Sequence, residues 1–152
     1  MHNGTFVYAR PTMTSSSNKG MIPKPTPETR PFWEGTRQRQ LRIQRCNDCG
    51  ASYFYPRPLC PYCLSRNVAW ITASGRGRLH TFVINHRPPR HYSASGPYII
   101  GIVELEEGPR LMTNIVGVEP RPEALRCDMP VEVVFEDLTD EITLPKFRPA
   151  ER

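Results

Sequence analysis

The sequence predicts a mainly β protein with a short N-terminal helix, a rubredoxin-like zinc ribbon and a five-stranded OB-fold barrel. Two C-x-x-C pairs, Cys46–Cys49 and Cys60–Cys63, are separated by ten residues, which is the pattern of a zinc ribbon. Five short β-rich segments follow residue 78, with one long connection between the third and the fourth, and this order is typical of an OB-fold barrel. The 17 prolines and an apolar content of 38% disfavour long helices.

The N-terminal part divides into a leader and a helix. Residues 1–25 are rich in serine and proline and offer little to bury, so they predict a flexible leader. Residues 26–40 predict a short helix, because Pro31 suits a first helical turn and two large apolar residues follow it. These residues, Phe32 and Trp33, either fix the helix to the domain or line a cleft or a partner interface.

Residues 41–75 predict the zinc ribbon, with a strand before, between and after the cysteine pairs. A C-x-x-C turn directs two thiolates at one point, and a second such turn completes a tetrahedron around Zn²⁺. Gly50 follows the first pair, where a positive φ allows backbone N–H groups to approach the sulfur atoms. The sequence therefore predicts a structural Zn²⁺ with four ligands, Cys46, Cys49, Cys60 and Cys63.

Three other interpretations compete for these cysteines. Two disulfides are disfavoured, because no signal peptide precedes them and the chain is expected in the cytoplasm, where thiols stay reduced. A redox dithiol requires one C-x-x-C on a βα turn rather than two facing turns. Four thiolates also bind iron, as in rubredoxin, and the sequence does not separate iron from zinc. Because a closed four-cysteine site has no open coordination position, the metal is expected to be structural.

Residues 76–149 predict the barrel. Its five β-rich segments are residues 79–84, 98–106, 110–116, 131–136 and 142–147. The long connection, residues 120–130, lies between the third and fourth of these segments. No apolar run in the sequence approaches the roughly 18 residues of a membrane span, so no membrane association is expected.

Charge is distributed unevenly along the chain, whose net charge is +5. Residues 1–78 carry 12 Lys/Arg against 3 Asp/Glu, a net +9, and residues 79–152 carry 8 against 12, a net −4. A basic surface attracts the phosphates of nucleic acid or of a phosphorylated cofactor. Arg57, Arg87 and Arg90 are candidates for contact with phosphate or with a partner, since the guanidinium fork binds phosphate oxygens bidentately.

The sequence contains no convincing catalytic constellation. The fifth cysteine, Cys127, is expected to be a packing residue, and His80 is expected to be a structural histidine in an apolar strand. His86 and His91 flank the arginine-bearing loop, but no paired acid or nucleophile lies near them in sequence. An autonomous enzyme with either histidine as its base is therefore the least favoured of three hypotheses.

The second hypothesis is a single-stranded nucleic-acid binder. A basic zinc ribbon joined to an OB barrel suits this function, because OB sheets stack bases on exposed aromatic side chains between basic residues. The barrel is acidic overall, however, and its strands carry Ile and Val where base stacking requires Tyr, Phe or Trp. Both observations weaken the hypothesis.

Four runs of sequence carry a more specific resemblance: P-F-W-E-G, L-R-I-Q-R-C-N-D-C-G, Y-P-R-P-L-C-P-Y-C and G-R-G-R-L-H-T-F-V. Together they resemble the acyl-CoA-associated zinc-ribbon/OB-fold family of bacteria and archaea. The four-cysteine spacing alone is shared by many ribbons, but its combination with the preceding F-W helix and the following S-G-R-G strand is specific. The resemblance covers about residues 27–147, and the leader has no counterpart in the family pattern.

The resemblance implies a small, non-catalytic subunit of a hetero-oligomer, which is the first hypothesis. Members act beside thiolase-fold enzymes, including thiolases, acyltransferases, hydroxymethylglutaryl-CoA synthases and steroid side-chain aldolases, and the partner supplies the catalytic residues. The small subunit helps to form the acyl-CoA site or relays an intermediate. For this chain the resemblance implies carbon–carbon bond cleavage or formation on a CoA thioester, with Phe32 and Trp33 as candidate acyl or partner contacts.

Overall fold

The computed structural model describes residues 22–87 and 96–150. Within these ranges one α-helix, α1 (Arg30–Arg37), precedes eight strands. The strands are β1 (Arg42–Cys46), β2 (Ser52–Tyr53), β3 (Val68–Thr72), β4 (Arg76–Asn85), β5 (Tyr98–Leu105), β6 (Arg110–Ile115), β7 (Pro130–Asp137) and β8 (Thr143–Pro149). The predicted class is confirmed: a mainly β chain with one short helix, a ribbon and a closed five-stranded barrel. None of the described helices is long and apolar enough to span a bilayer.

Helix α1 is short and is held by the face that it buries. Thr29 stands at its N-cap, but the Thr29 hydroxyl bonds to Thr26 rather than to the first helical N–H groups. A helix of eight residues has little intrinsic stability in water, so packing has to stabilise it. Phe32, Gly35 and Thr36 supply the buried face.

The ribbon sheet has the strand order β2-β1-β3, and both pairings are antiparallel. Its central strand, β1, is buried at Ile43, Gln44 and Cys46. β2 comprises only two residues, so the longer part of β1 is paired with β3 alone. This arrangement places the first cysteine pair at the end of the central strand.

The barrel closes in the order β4-β5-β6-β8-β7. Alternate residues of β5 are buried, including Ile99 and Val103, which is the period-2 pattern of a strand with one face in a core. Gly101 lies between them, and a Cβ there would come within 2.8 Å of side-chain atoms of Leu79 and Ile115. The interior of the barrel is therefore filled at this level, with no room for a further side chain.

The barrel is closed by a short pairing between β6 and β8. These strands run parallel and are paired at a single position, Ile115 with Phe147. Elsewhere along this seam a side chain makes the connection, because the Thr113 hydroxyl donates to the Pro145 carbonyl over 3.2 Å. A shallow groove follows the seam, and α1 lies beside it.

One hydrophobic core connects the helix, the ribbon and the barrel. Phe32 from α1 and Leu41, Ile43 and Ala73 from the ribbon belong to the same buried cluster as the barrel residues. The barrel contribution consists of Leu79, Ile99, Val103, Leu105, Leu111, Ile115, Leu125, Val131 and Phe147. The ribbon is therefore packed against the barrel rather than tethered to it.

Candidate metal centre and adjoining surface

The four ribbon cysteines converge on one point. Their Sγ atoms all lie within 4.8 Å of one another. The Cys46 and Cys63 sulfurs are 3.5 Å apart, and the Cys49 and Cys60 sulfurs are 3.7 Å apart. A tetrahedron with Zn–S bonds of about 2.3 Å has S–S edges of about 3.8 Å, so these separations suit a four-thiolate ion.

Both cysteine turns have the same backbone design. The Gly50 N–H donates to the Cys46 carbonyl, and the Leu64 N–H donates to the Cys60 carbonyl, each over 3.0 Å. Gly50 and Leu64 occupy the same place in their turns, and both have a positive φ, 74° and 61°. A glycine at this place was expected from the sequence, whereas a leucine there gives no such signal.

The electrostatics of the cluster favour a bound cation. The backbone N–H of Cys49 is the main cause that lowers the pKa of Cys46 to about 7. At Cys63 the backbone N–H of Ser65 also lowers the pKa. The other three cysteines and burial outweigh it and together raise the pKa to about 12. Thiolates this close repel one another, so all four ionise together only around a positive ion. The donor set therefore fits a bound metal.

A polar network joins the two turns outside the sulfur cluster. Asp48, between the first two cysteines, accepts hydrogen bonds from the Ser65 hydroxyl and, over 2.8 Å, from the Asn67 amide. The Asn47 amide donates to Asn67 Oδ1 over 2.8 Å. The Ser65 and Asn67 donors lower the pKa of Asp48. Sequence analysis missed this network, whose only signal is polar residues beside the cysteines of both turns.

Arg57 is presented by the segment between the two turns. Its N–H donates to the buried Gln44 Oε1 over 2.6 Å, and its carbonyl accepts from the Tyr53 hydroxyl over 3.4 Å. The exposed side chain lines a cleft of about 510 Å³ between the ribbon and the turn that joins β5 to β6. Arg110, on the barrel side of the cleft, is paired with Glu104 over 2.6 Å. Among the ion pairs of the described residues, none includes Arg57.

Phe32 and Trp33 lie together at the seam between β6 and β8. Their rings meet edge to face with centroids 5.0 Å apart, and Phe32 also contacts Phe54 over 5.3 Å. Phe32 is buried and Trp33 is half-buried. Both line an apolar groove of about 230 Å³. Its other lining residues are Leu41, Phe54, Leu111, Met112, Thr113, Asn114, Leu144, Pro145 and Lys146.

The outer surface of the barrel carries an aliphatic strip beside this groove. Val83 is 57% exposed and Met112 is 73% exposed. Val83 pairs with Ile100, and Met112 pairs with Ile102, so these four side chains occupy one face of β4, β5 and β6. The strip is aliphatic, unlike the aromatic platforms on which OB folds stack bases.

Models of known protein families match both the ribbon and the barrel. Residues 33–69 match the model described as "ChsH2, rubredoxin-like zinc ribbon domain", and residues 70–136 match the one described as "ChsH2, C-terminal OB-fold domain". A DUF35 domain-containing scaffold protein of Methanocaldococcus jannaschii is 35% identical over 111 residues, which are 72% of this chain and 77% of the relative. The chain belongs to the DUF35 family. The resemblance found in the sequence is thereby confirmed.

Two further relatives of this DUF35 protein belong to larger proteins or assemblies. A "Probable enoyl-CoA hydratase alpha subunit" of Thermomonospora curvata is 38% identical over 139 residues, or 90% of this chain. The chain spans only 43% of that relative's length. A chain in the solved structure of the "Ltp2-ChsH2(DUF35) aldolase" matches with a TM-score of 0.74 and 37% identity, over 84% of this chain and 98% of that chain.

Of the two remaining candidate arginines of the DUF35 chain, Arg87 lies away from Arg57. Arg87 is exposed just after β4, beyond the pairing of Asn85 with Tyr98. From Tyr98 to Glu104, which lines the Arg57 cleft, the six residue steps of β5 cover about 20 Å at the rise of a strand. Arg90 lies outside the described residues, as does His91.

Two expectations about single residues are wrong. His80 is exposed rather than structural, because it follows the buried Leu79 and the alternation along β4 directs its side chain to the outer face. Cys127 is exposed rather than packed. It precedes Asp128, which has a φ of 63°, in the loop that leads to β7.

Proposed function

We propose that this DUF35 protein is a non-catalytic accessory subunit that binds a thiolase-like enzyme and helps to form its acyl-CoA site. The assembly would cleave or form a carbon–carbon bond on a CoA thioester, with the catalytic groups supplied by the partner. The names of the relatives support a subunit role, since they describe a scaffold protein, a hydratase subunit and an aldolase that combines Ltp2 with ChsH2. We expect the assembly in the cytoplasm, where the four thiols stay reduced.

The observation that carries this proposal is the continuity of the cationic cleft and the apolar groove. Phe54 lines both depressions, so they adjoin on one side of the molecule. The Arg57 guanidinium at one end suits phosphate oxygens, and the Phe32 and Trp33 rings at the other end suit an acyl chain or an apolar partner segment. A CoA thioester has this same order of charged and apolar parts.

The aliphatic strip of Val83, Ile100, Ile102 and Met112 supports contact with a protein. Exposed apolar side chains that form a contiguous patch are typical of interaction sites. Met112 belongs both to this strip and to the wall of the groove, so a subunit seated on the strip would also cover the groove. Arg87, which lies away from the cleft, and Arg90 are proposed as further partner or phosphate contacts.

The metal has a supporting role in this proposal. Cys46, Cys49, Cys60 and Cys63 would hold a Zn²⁺ ion, which would stabilise the two turns as a closed structural site. The chain between the turns carries Arg57 and Phe54, so the cysteines position both depressions. Asp48 assists by joining the turns through Ser65 and Asn67.

The first test is co-purification from the native host, followed by CoA binding to the recovered complex. We expect a thiolase-fold enzyme in stoichiometric amount. In that complex Arg57→Ala is expected to weaken CoA binding about 10- to 100-fold, because a hydrogen bond to a charged group contributes about 1.5–3 kcal/mol. Arg121→Ala is the matched control, because Arg121 is an exposed arginine paired with Glu119 over 3.0 Å and lies outside the cleft.

The apolar end of the site is tested with the same complex. Trp33→Ala is expected to weaken binding of a long-chain acyl-CoA more than binding of CoA itself, since Trp33 lines the groove and not the cleft. Equal losses for both ligands would contradict the assignment. Recovery of the chain without a thiolase-fold enzyme, and no effect of added enzyme on solubility or activity, would overturn the proposed function. Recovery of RNA or DNA would favour the nucleic-acid hypothesis.

A further inference from the structure

The hydrogen-bond pattern of the ribbon sheet leaves one edge of β3 open. The Ala73 N–H donates to the Leu41 carbonyl over 2.8 Å, and the Asn47 N–H donates to the Asn67 carbonyl over 2.9 Å. These two bonds are in register with the pairing of β1 and β3 and mark its hydrogen-bonded positions. Because such positions alternate, Ala69 and Ile71 direct their backbone groups toward β1.

The other residues of β3, Val68, Trp70 and Thr72, therefore direct their backbone groups away from β1. The Val68 N–H bonds locally to the Arg66 carbonyl over 2.9 Å. In the described part of the chain β3 pairs with β1 and with no other strand. The outward N–H and C=O groups of Trp70 and Thr72 thus form a short row without a strand partner.

The side chains of β3 do not protect this edge. Its sequence is V-A-W-I-T, and the first four residues are half-buried. Native proteins usually blunt an open edge with a charge, a proline or a covering element, and this strand itself has neither a charge nor a proline. The barrel, by contrast, is a closed ring of strands. An uncharged apolar edge of five residues is a template for a further strand.

The charges around β3 indicate the chemistry of such a strand. Arg42 and Arg45 lie on β1 opposite Thr72 and Ala69, and Arg66 is exposed just before β3. Arg42 donates to the neutral side chains of Gln38 and Gln40. Arg45 donates to the Gly50 carbonyl beside β2, so its guanidinium lies toward the other edge of the sheet. None of the ion pairs formed by the described residues includes any of these three arginines. A second copy of the chain would bring more positive charge to this edge, whereas an acidic segment would be attracted.

We propose that the open edge of β3 pairs with an extended segment of the partner enzyme subunit, and that this segment combines apolar side chains with acidic ones. The Trp70 and Thr72 backbone groups would bond to the added strand, while Arg66 and Arg42 attract its carboxylates. This pairing is a second contact, separate from the cleft and the groove. It rests on the proposed function for the source of the strand but not for the pairing itself.

Hydrogen exchange of individual amides tests the pairing directly. The chain is compared alone and in the complex recovered by co-purification. We expect the Trp70 and Thr72 amides to exchange at least about tenfold more slowly in the complex, because strand pairing protects outward amides. The Ile71 amide, which bonds to β1, is the internal reference and is expected to be protected in both states.

Substitutions at the exposed Thr72 separate two contributions to partner binding, the backbone hydrogen bond and the charge at the edge. Thr72→Pro removes an outward N–H without removing a bond to β1, and Thr72→Val keeps that N–H as its control. Thr72→Glu and Thr72→Lys keep the backbone donor and place opposite charges on long side chains at the same position. We expect Thr72→Pro and Thr72→Glu to weaken capture of the partner about tenfold, while Thr72→Val and Thr72→Lys retain it. The charge pair tests the proposal even where the proline variant folds poorly.

The outcomes distinguish this inference from the proposed function. A thiolase-fold partner with unprotected edge amides overturns the inference alone. A different enzyme partner with a protected edge and a Glu-sensitive interaction supports the pairing and overturns the thiolase assignment. Protection that rises with protein concentration in the isolated chain shows that a second copy occupies the edge, and it overturns the acidic partner segment. The inference is also overturned if no protein is captured and the Trp70 and Thr72 amides exchange equally fast in cell extract and in buffer.

Discussion

The two cysteine turns show how a single backbone position shapes the site. Gly50 adopts a positive φ without a side-chain penalty, but Leu64 adopts the same conformation with a Cβ. Leu64 is 72% exposed and its neighbour Tyr62 is 69% exposed, so the second turn presents two apolar side chains to solvent. The positive φ at both positions follows from the convergence of the sulfur atoms, because each turn has to direct two thiolates at the same point.

At the residue scale the clearest prediction concerns the ligand set. Cys60→Ser is expected to abolish stoichiometric metal binding and to destabilise the fold strongly, since structural zinc in small domains contributes about 10–16 kcal/mol of binding free energy. Elemental analysis and thermal unfolding of the purified chain provide the measurement. Elemental analysis of the wild-type protein also separates zinc from iron.

Cys127→Ser is the matched control for that experiment. Cys127 is a free, exposed cysteine outside the cluster of four sulfur atoms. The variant should keep one metal ion per chain and the wild-type unfolding temperature. Loss of the ion from Cys127→Ser, or its retention in Cys60→Ser, would show that the ligands are assigned incorrectly.

At the scale of elements, the end of α1 is connected to strand β7. Arg39 follows the helix and donates to the Phe135 carbonyl over 3.1 Å and to Asp137 Oδ2 over 2.6 Å. The buried Thr143 donates its hydroxyl to the other oxygen of Asp137 over 2.7 Å. One carboxylate therefore joins the helix, β7 and β8 next to the groove.

This connection predicts a dependence of stability on pH. The hydrogen bonds from Arg39 and Thr143 lower the pKa of Asp137. A lowered folded-state pKa contributes stability above the unfolded value of about 3.9, and the contribution is lost as the pH falls through the folded value. Asp137→Asn should therefore reduce the unfolding temperature at pH 7, and the difference from wild type should shrink below about pH 4.

Asp140→Asn is the control for Asp137→Asn. Asp140 is exposed in the turn between β7 and β8, and it belongs to none of the ion pairs that the described residues form. Its substitution should leave the unfolding temperature nearly unchanged at both pH values. An Asp137→Asn effect that persists at low pH would show that packing, rather than the ionised carboxylate, stabilises the connection.

At the scale of the whole molecule, the shared core predicts that ribbon and barrel unfold together. Both tryptophans, Trp33 and Trp70, lie outside the barrel strands, so their fluorescence reports on the helix and the ribbon. Far-ultraviolet circular dichroism reports mainly on the strands. Because Phe32, Leu41 and Ile43 pack in the barrel core, the two signals should change at the same temperature.

Removal of the metal by a strong chelator extends this prediction. The common unfolding temperature is expected to fall by more than about 10 °C, because loss of a structural ion removes several kcal/mol and each kcal/mol shifts the midpoint by about 2–8 °C. Both signals should shift by the same amount. A circular dichroism transition that keeps its temperature while the fluorescence transition falls would show an independent barrel.

Local patterns in the sequence were sufficient to predict the fold. The C-x-x-C spacing and the period-2 alternation of segments such as Tyr98–Leu105 are properties of adjacent residues, and they directly determine turns and strands. The same holds for α1, where Pro31 and the apolar pair Phe32 and Trp33 are neighbours in the chain. The family resemblance depended on the same local runs, because they occur in a fixed order.

The sequence by itself therefore determined the class of fold, the convergence of four cysteines and the family. Only the tertiary structure decided which distant residues meet: Phe54 joins the Arg57 cleft to the Phe32 groove, and Arg87 lies about 20 Å along β5 from that cleft. It also decided that His80 and Cys127 face solvent and that β3 has an open edge. The physical reason is that a strand's partners, its register and its bulges follow from how the whole chain packs, and no local pattern contains that information.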